Sequence, residues 1–137
     1  MTDADANEAI EQHWRAGWDA IHGALTVDPV TDVVEGDLAQ SAAEWVRFAI
    51  MPIGSQLQTL DAAQRERTAI IAVQIFTSHV GTRRATELVD DVRSVLEAQV
   101  ISSGSERIWT LEASASPGQP DGAWIMRSVN VRARWYG

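Results

Sequence analysis

Three histidines, nineteen carboxylates and eleven arginines carry the reactive chemistry of this 137-residue chain, and it has no cysteine. His13 and His22 fall nine apart in one predicted helix. About 900° of rotation separates them, which places them on opposite sides and keeps them from sharing a metal. His79 falls in a predicted loop, where a lone histidine is ordinarily solvated. Without Cys there are no disulfides, thiolate zinc sites or cysteine nucleophiles, and no sign of an oxidising compartment. No metalloprotease, nucleophile-elbow, P-loop or dinucleotide motif occurs. Gly118 and Gly122 sit in a Pro-containing loop, not at a strand–helix turn that would cradle a phosphate. Glu87, Asp90 and Asp91 form the densest carboxylate cluster, but they alternate with Arg83, Arg84 and Arg93 and read as a solvated helix face. These residues predict no catalytic site, no metal and no cofactor.

The elements that must position them alternate between two periods. Asp5 and Glu8 have capping-box spacing, and Ile10, Trp14, Gly17, Trp18, Ile21 and Leu25 then recur at helical spacing, with Gly23 marking the end of the helix. Residues 26–43 contain Pro29, Gly36 and the acids Asp28, Asp32, Glu35 and Asp37, which lack EF-hand spacing and predict a solvated acidic loop. From Glu44 the period becomes two: Val46, Phe48 and Ile50 face one way and Trp45, Arg47 and Ala49 the other, until Pro52. A weaker strand is predicted around Ser55–Leu60. Thr68–Thr77 is apolar on both faces and predicts a central strand covered on both sides. A second helix is predicted over Thr82–Val100, with Arg83–Glu87 and Arg93–Glu97 pairs on its polar side. After a turn at Ser102–Ser105 comes a strand over Arg107–Ala113, with Trp109, Leu111 and Ala113 on one face. Ser116–Gly122 is predicted to be a flexible connection. A long last strand turns Ala123, Ile125, Val129, Val131, Ala133 and Trp135 inward and Ser128, Asn130, Arg132 and Arg134 outward.

The fold class predicted is α+β: a mixed, mostly antiparallel sheet of four to five strands with two helices on one face, in the order α-β-β-β-α-β-β, as one domain over residues 1–137. The formal charge of −8 argues against gripping nucleic acid by phosphate neutralisation. Acids dominate residues 1–64, where eleven face only Arg15 and Arg47, whereas nine Arg face eight acids in 65–137. This asymmetry fits either head-to-tail attraction between identical subunits or a solvated acidic terminus. The chain has no Lys; sole use of Arg fits a GC-rich coding bias and equally suits interfaces. The first thirteen residues are acidic and polar, unlike a leader peptide, and no apolar run approaches the ~20 residues of a membrane span. A soluble domain made in the cytoplasm, without a membrane partner, is expected.

The ordered set Glu44-Trp-Val-Arg-Phe, a polar stretch to Arg65–Arg67, Ala-Val-Gln-Ile-Phe at 72–76, Gly81, a helix with Leu88-Val-Asp-Asp-Val, and a closing strand Trp124–Tyr136 resembles the tail terminator (tail-completion) proteins of long-tailed phages and phage-like particles. The likeness covers residues 44–137, with the first helix where that family has one. The chain departs from the family pattern at Thr68 or Ala69, where members often carry Gly, and in a less Gly-rich turn at Ser78–Thr82.

The resemblance implies a structural virion protein with a mixed sheet and two helices. It implies a ring, a hexamer, on the last ring of the tail tube, which stops tube polymerisation and meets a head connector or stopper protein. DNA would pass through the channel unread. The protein would reside at the tail–neck junction of the virion, and in the host cytoplasm before assembly. A ring needs two complementary patches per subunit. Candidates are Arg65, Arg67, Arg83 and Arg84 on one copy, reaching Asp28, Asp32, Glu35 or Asp37 on the next. Trp124 is a candidate anchor for the tube or connector, or else packs on the sheet. Two alternatives remain: another neck component, or a small ligand-binding or hydrolytic domain with a pocket between Trp14, Trp18 and the sheet.

Overall fold

The computed structural model describes residues 1–22, 26–27, 44–57, 65–78, 82–122 and 124–136. Its first element, α1 (Asp3–His22), starts one turn before the predicted cap. Asp5 N donates to Thr2 Oγ1 at 3.1 Å and Thr2 N donates to Asp5 Oδ2 at 3.4 Å, so the capping box is Thr2–Asp5. Glu8 instead accepts from Gln12 one turn on. Ala6, Ile10, Trp14 and Trp18 are buried. A series spaced by four advances about 40° per step, so this buried line winds around the helix. It ends on His22, and Ile21, expected in the stripe, is 46% exposed.

The sheet contains β1 (Thr26–Val27), β2 (Glu44–Leu57), β3 (Arg65–Ser78), β4 (Val100–Ser103), β5 (Glu106–Ala115), β6 (Gln119–Asp121) and β7 (Trp124–Tyr136). Its order is β1-β2-β3-β7-β5-β4, with β6 paired to β7. All pairs are antiparallel except the short parallel pair β1·β2. With α2 (Thr82–Leu96), the chain order is α-β-β-β-α-β-β-β-β. The α+β class stands, but the sheet has seven strands, not four or five.

The extra strands arise from local devices that periodicity does not show. Pro52 does not end β2: a register shift between Pro52 and Gly54 carries the pairing on to Leu57↔Arg65. Pro is tolerated beside a bulge or on an outer strand, and β1 covers β2 only at Val46 and Arg47. The second helix stops at Leu96 rather than Val100. Thr110 Oγ1 donates to Leu96 O at 2.5 Å and accepts from Gln99 N at 2.7 Å, satisfying the helix end. Ala98 adopts φ 52° and turns the chain back, so Val100 lies on β4 and is 58% exposed. The turn expected over Ser102–Ser105 shrinks to Gly104–Ser105, between the paired Ser103 and Glu106. The expected flexible connection contains β6, which folds back onto Trp124, Ile125 and Met126.

In β5 a register shift between Thr110 and Ala113 changes which residues point inward. Ile108, Thr110 and Ala113 are buried, whereas Trp109 and Leu111, expected on the face of Ala113, are not.

Both helices contact the sheet and each other. Val46, Phe48, Ile71, Val73, Ile75, Val129, Val131 and Ala133 are buried in one core with Trp14, Trp18, Leu88, Val92 and Leu96. β3 is indeed interior to the sheet, between β2 and β7. Its second face is less covered than expected: Phe76 is buried, but Ile70, Ala72 and Gln74 are only half-buried. Among the described residues no helix is long and apolar enough to cross a membrane.

Candidate functional site

The tryptophans proposed to line a pocket fill the space themselves. Trp14 stacks on Trp18 at 4.8 Å and on Phe48 at 5.3 Å between ring centroids. His22 leans on Trp18 at 4.3 Å. Trp14 and Trp18 are 1% and 0% exposed, so the pocket reading is overturned by close packing. Their indole N–H groups have no hydrogen-bond partner among the described residues. A cavity of ≈ 140 Å³ does exist elsewhere, between the start of α1 and the β2 irregularity, lined by Asp3, Asn7, Pro52, Arg67 and Trp135 among others.

The histidines tie helix to helix. His13 Nε2 lies 2.8 Å from Val95 O, and His22 Nε2 lies 2.6 Å from Asp91 Oδ2. Both therefore reach α2, from different flanks of α1 and at separate partners. His79 lies outside the described residues. The Glu87, Asp90, Asp91 cluster is divided: Asp91 is held by His22, and Glu87 pairs with Arg83 at 3.1 Å and Arg84 at 3.3 Å. Among the described residues no group of three ligand-type side chains is placed to hold a metal. Arg93 and Glu97 are not joined as spaced. Glu97 Oε2 accepts from Ala113 N at 2.7 Å, bracing the β5 irregularity.

Three of the four arginines assigned to a neighbour's acids, Arg67, Arg83 and Arg84, have partners within the chain. Arg84 grips Glu44 of β2 with Nε and Nη2, at 2.6–2.9 Å from its two oxygens. Hydrogen bonding to Glu44 raises the Arg84 pKa further, against partial desolvation. Arg67 Nη1 lies 3.0 Å from Asp3 Oδ1, tying β3 to the start of α1. Arg83 is highly exposed beyond its Glu87 contact, and Arg65 is exposed at the start of β3. Asp28, Asp32, Glu35 and Asp37 lie outside the described residues. Arg84→Met is expected to cost about 1 kcal/mol, since a partly exposed fork–fork pair is worth little more. Thermal denaturation should show a Tm lower by a few degrees, on the order of 2–6 °C.

Trp124 is half-buried and meets Trp45 edge-on at 6.4 Å. Trp45 stacks on Phe76 at 3.9 Å, its register partner, and the Arg47 guanidinium sits 5.9 Å and 5.5 Å from these two rings. The sequence reading found Trp124 but not this cluster, which needs the pairing of β2 with β3.

The sheet face away from the helices was not singled out as a site. Register aligns Met51, Ile70 and Arg132 in one row across β2, β3 and β7. The next row holds Thr68, Arg134, Trp109 and Val100. Met51, Ile53 and Leu111 are 46%, 48% and 38% exposed. The outward alternation of Arg132 and Arg134 was the available signal.

No family model matches the chain, and no curated protein matches it. Among solved structures, a chain that carries no functional description superposes with a TM-score of 0.76 at 15% identity, over 98% of this chain and 96% of its own length. A chain of the virion of the native gene transfer agent particle superposes with a TM-score of 0.64 at 19% identity, over 99% of this chain and 100% of its own. These likenesses establish a shared α+β fold, end to end.

Proposed function

We propose that this chain is a structural virion protein, a tail terminator that forms a hexameric ring on the end of the tail tube, stops its polymerisation and presents the surface that joins the head connector. The observation that carries this reading is the fold shared from end to end with a chain of a gene transfer agent virion. The ordered motifs from Glu44 to Tyr136 support the terminator in particular. In this reading the protein is not an enzyme, uses no cofactor, and sits at the tail–neck junction after assembly from the host cytoplasm. Its partners are further copies of itself, the tail tube protein and a connector or stopper. DNA passes its channel without being read, as the acidic balance of −8 suits. Arg65 and Arg83, exposed in the monomer, remain candidates for contacts to the acids of residues 28–43 on a neighbour, and Trp124 for a contact to tube or connector.

Tail length in particles made without the gene tests this, by negative-stain electron microscopy. Overlong, variable, headless tails are the expected result. Uniform tails of normal length that fail to join heads would assign the protein to another neck component. Normal infectious particles would end the structural reading.

A further inference from the structure

We infer that the open sheet face of one copy docks the solvent face of α1 of the next copy. This rests on the ring reading above and names the two surfaces that would build the ring. The open face combines exposed Met51 and Val100 with Arg132 and Arg134. Neither arginine has a hydrogen bond or ion pair among the described residues, and Arg134 Nε is shielded from solvent without a partner. Apolar side chains interleaved with Arg and aromatic residues are the composition of a protein interface, more than of a phosphate-binding surface.

The helix supplies the complement. Over Asp3–His22, α1 carries five carboxylates against Arg15. Glu11 is paired with Arg15 and Asp3 with Arg67, but Asp19 has no charged partner among the described residues. Beside Asp19 the solvent face offers Ala16, Ala20 and Ile21, small and apolar enough for close approach to a sheet. An unpaired acid flanked by small apolar residues thus matches unpaired arginines flanked by larger ones.

Geometry then sets the symmetry. The helices cover one face of the sheet and the docking surface is the other, so the two patches point in opposite directions. Patches on opposite faces cannot both be satisfied in a two-fold dimer, so the contact is heterologous. It continues from copy to copy, as a ring where the rotation closes and as an open filament where it does not.

The absence of native Cys allows a direct test by disulfide trapping. Met51→Cys on β2 and Ala20→Cys on α1 are combined in one chain and oxidised with copper–phenanthroline, both as purified protein and in assembled particles. The expected result is a ladder of covalent multimers beyond the dimer on non-reducing gels, with the single-Cys variants remaining monomeric. Adding Arg132→Glu and Arg134→Glu should reduce the ladder about tenfold or more, and adding Asp19→Arg to that variant should restore part of it.

A covalent dimer from Met51→Cys alone would mean that two sheet faces meet, and would overturn the proposal. So would the lack of a ladder in both preparations. Salt-sensitive binding of duplex DNA that is lost on Arg132→Glu/Arg134→Glu, without a ladder, would assign the face to nucleic acid instead. Tails of normal length in particles with no ladder would refute this docking mode and leave the ring reading intact. A ladder together with unaltered tails in the gene deletion would do the reverse.

Discussion

Trp14→Ala is expected to destabilise the protein by ~3–5 kcal/mol, the range for removing a large buried aromatic. Trp14 is the middle ring of a three-ring stack, with Trp18 at 4.8 Å on one side and Phe48 of β2 at 5.3 Å on the other. The interplanar angles of 20° and 9° leave no gap for either neighbour to fill by a small rotation. Truncation would therefore leave a cavity where α1 meets the sheet, and both the transfer and the cavity costs apply. A domain of this size has on the order of 5–15 kcal/mol to lose, so the variant would unfold at much lower denaturant. Urea unfolding followed by far-UV circular dichroism measures this without relying on Trp fluorescence. Trp14→Phe should cost far less, because the Trp14 N–H is buried without a partner among the described residues and its removal relieves an unmet hydrogen bond. A loss below about 1 kcal/mol for Trp14→Ala would show that the stack does not anchor the helix.

A second large effect is expected at Gly17, where the two helices touch. A Cβ placed there would lie 2.7 Å from Val95 Cγ1 and 3.2 Å from its Cγ2. Val95 is buried and β-branched, so in a helix it has essentially one rotamer and cannot swing aside. Gly17→Leu should push α1 from α2 and cost ~1–3 kcal/mol, the usual penalty of overpacking. It would also strain the His13–Val95 and His22–Asp91 contacts on either side. Gly17→Ala is the more incisive variant, because about 1 kcal/mol of gained helix propensity opposes the clash. Combined with Val95→Ala, which removes the obstructing methyls, the propensity gain should become visible. A double-mutant cycle by denaturant unfolding should then give a coupling of at least about 1 kcal/mol. Additive effects would mean that the close approach is not what selects Gly at this position.

Local periodicity carried much of this protein in its linear order. Ile10, Trp14 and Trp18 of α1, the alternation of Val46 and Phe48, the apolar run of β3 and Val129, Val131, Ala133 and Trp135 of β7 lie where residue type and spacing put them, whereas Ile21 is exposed and Ile125 only half-buried. This works because a helix or strand repeats its side-chain directions every few residues, whatever it packs against. Chemistry was legible in the same way for single residues, such as the outward Arg132 and Arg134.

What pattern could not supply was set between elements distant in sequence. The shift at Pro52–Gly54 and the one in β5 depend on the partner strand, and each alters pairing or the facing of later residues. The end of α2 depends on the Thr110 hydroxyl, fourteen residues away in β5. Arg84 and Arg67 were candidates for a neighbour's acids until β2 and α1 brought Glu44 and Asp3 to them. The open face is likewise a product of register, since Met51, Ile70 and Arg132 are neighbours only once β2, β3 and β7 pair. A side chain's direction follows from its own backbone, but its neighbours are decided by pairings whose register and hydrogen bonds exist only in the assembled sheet.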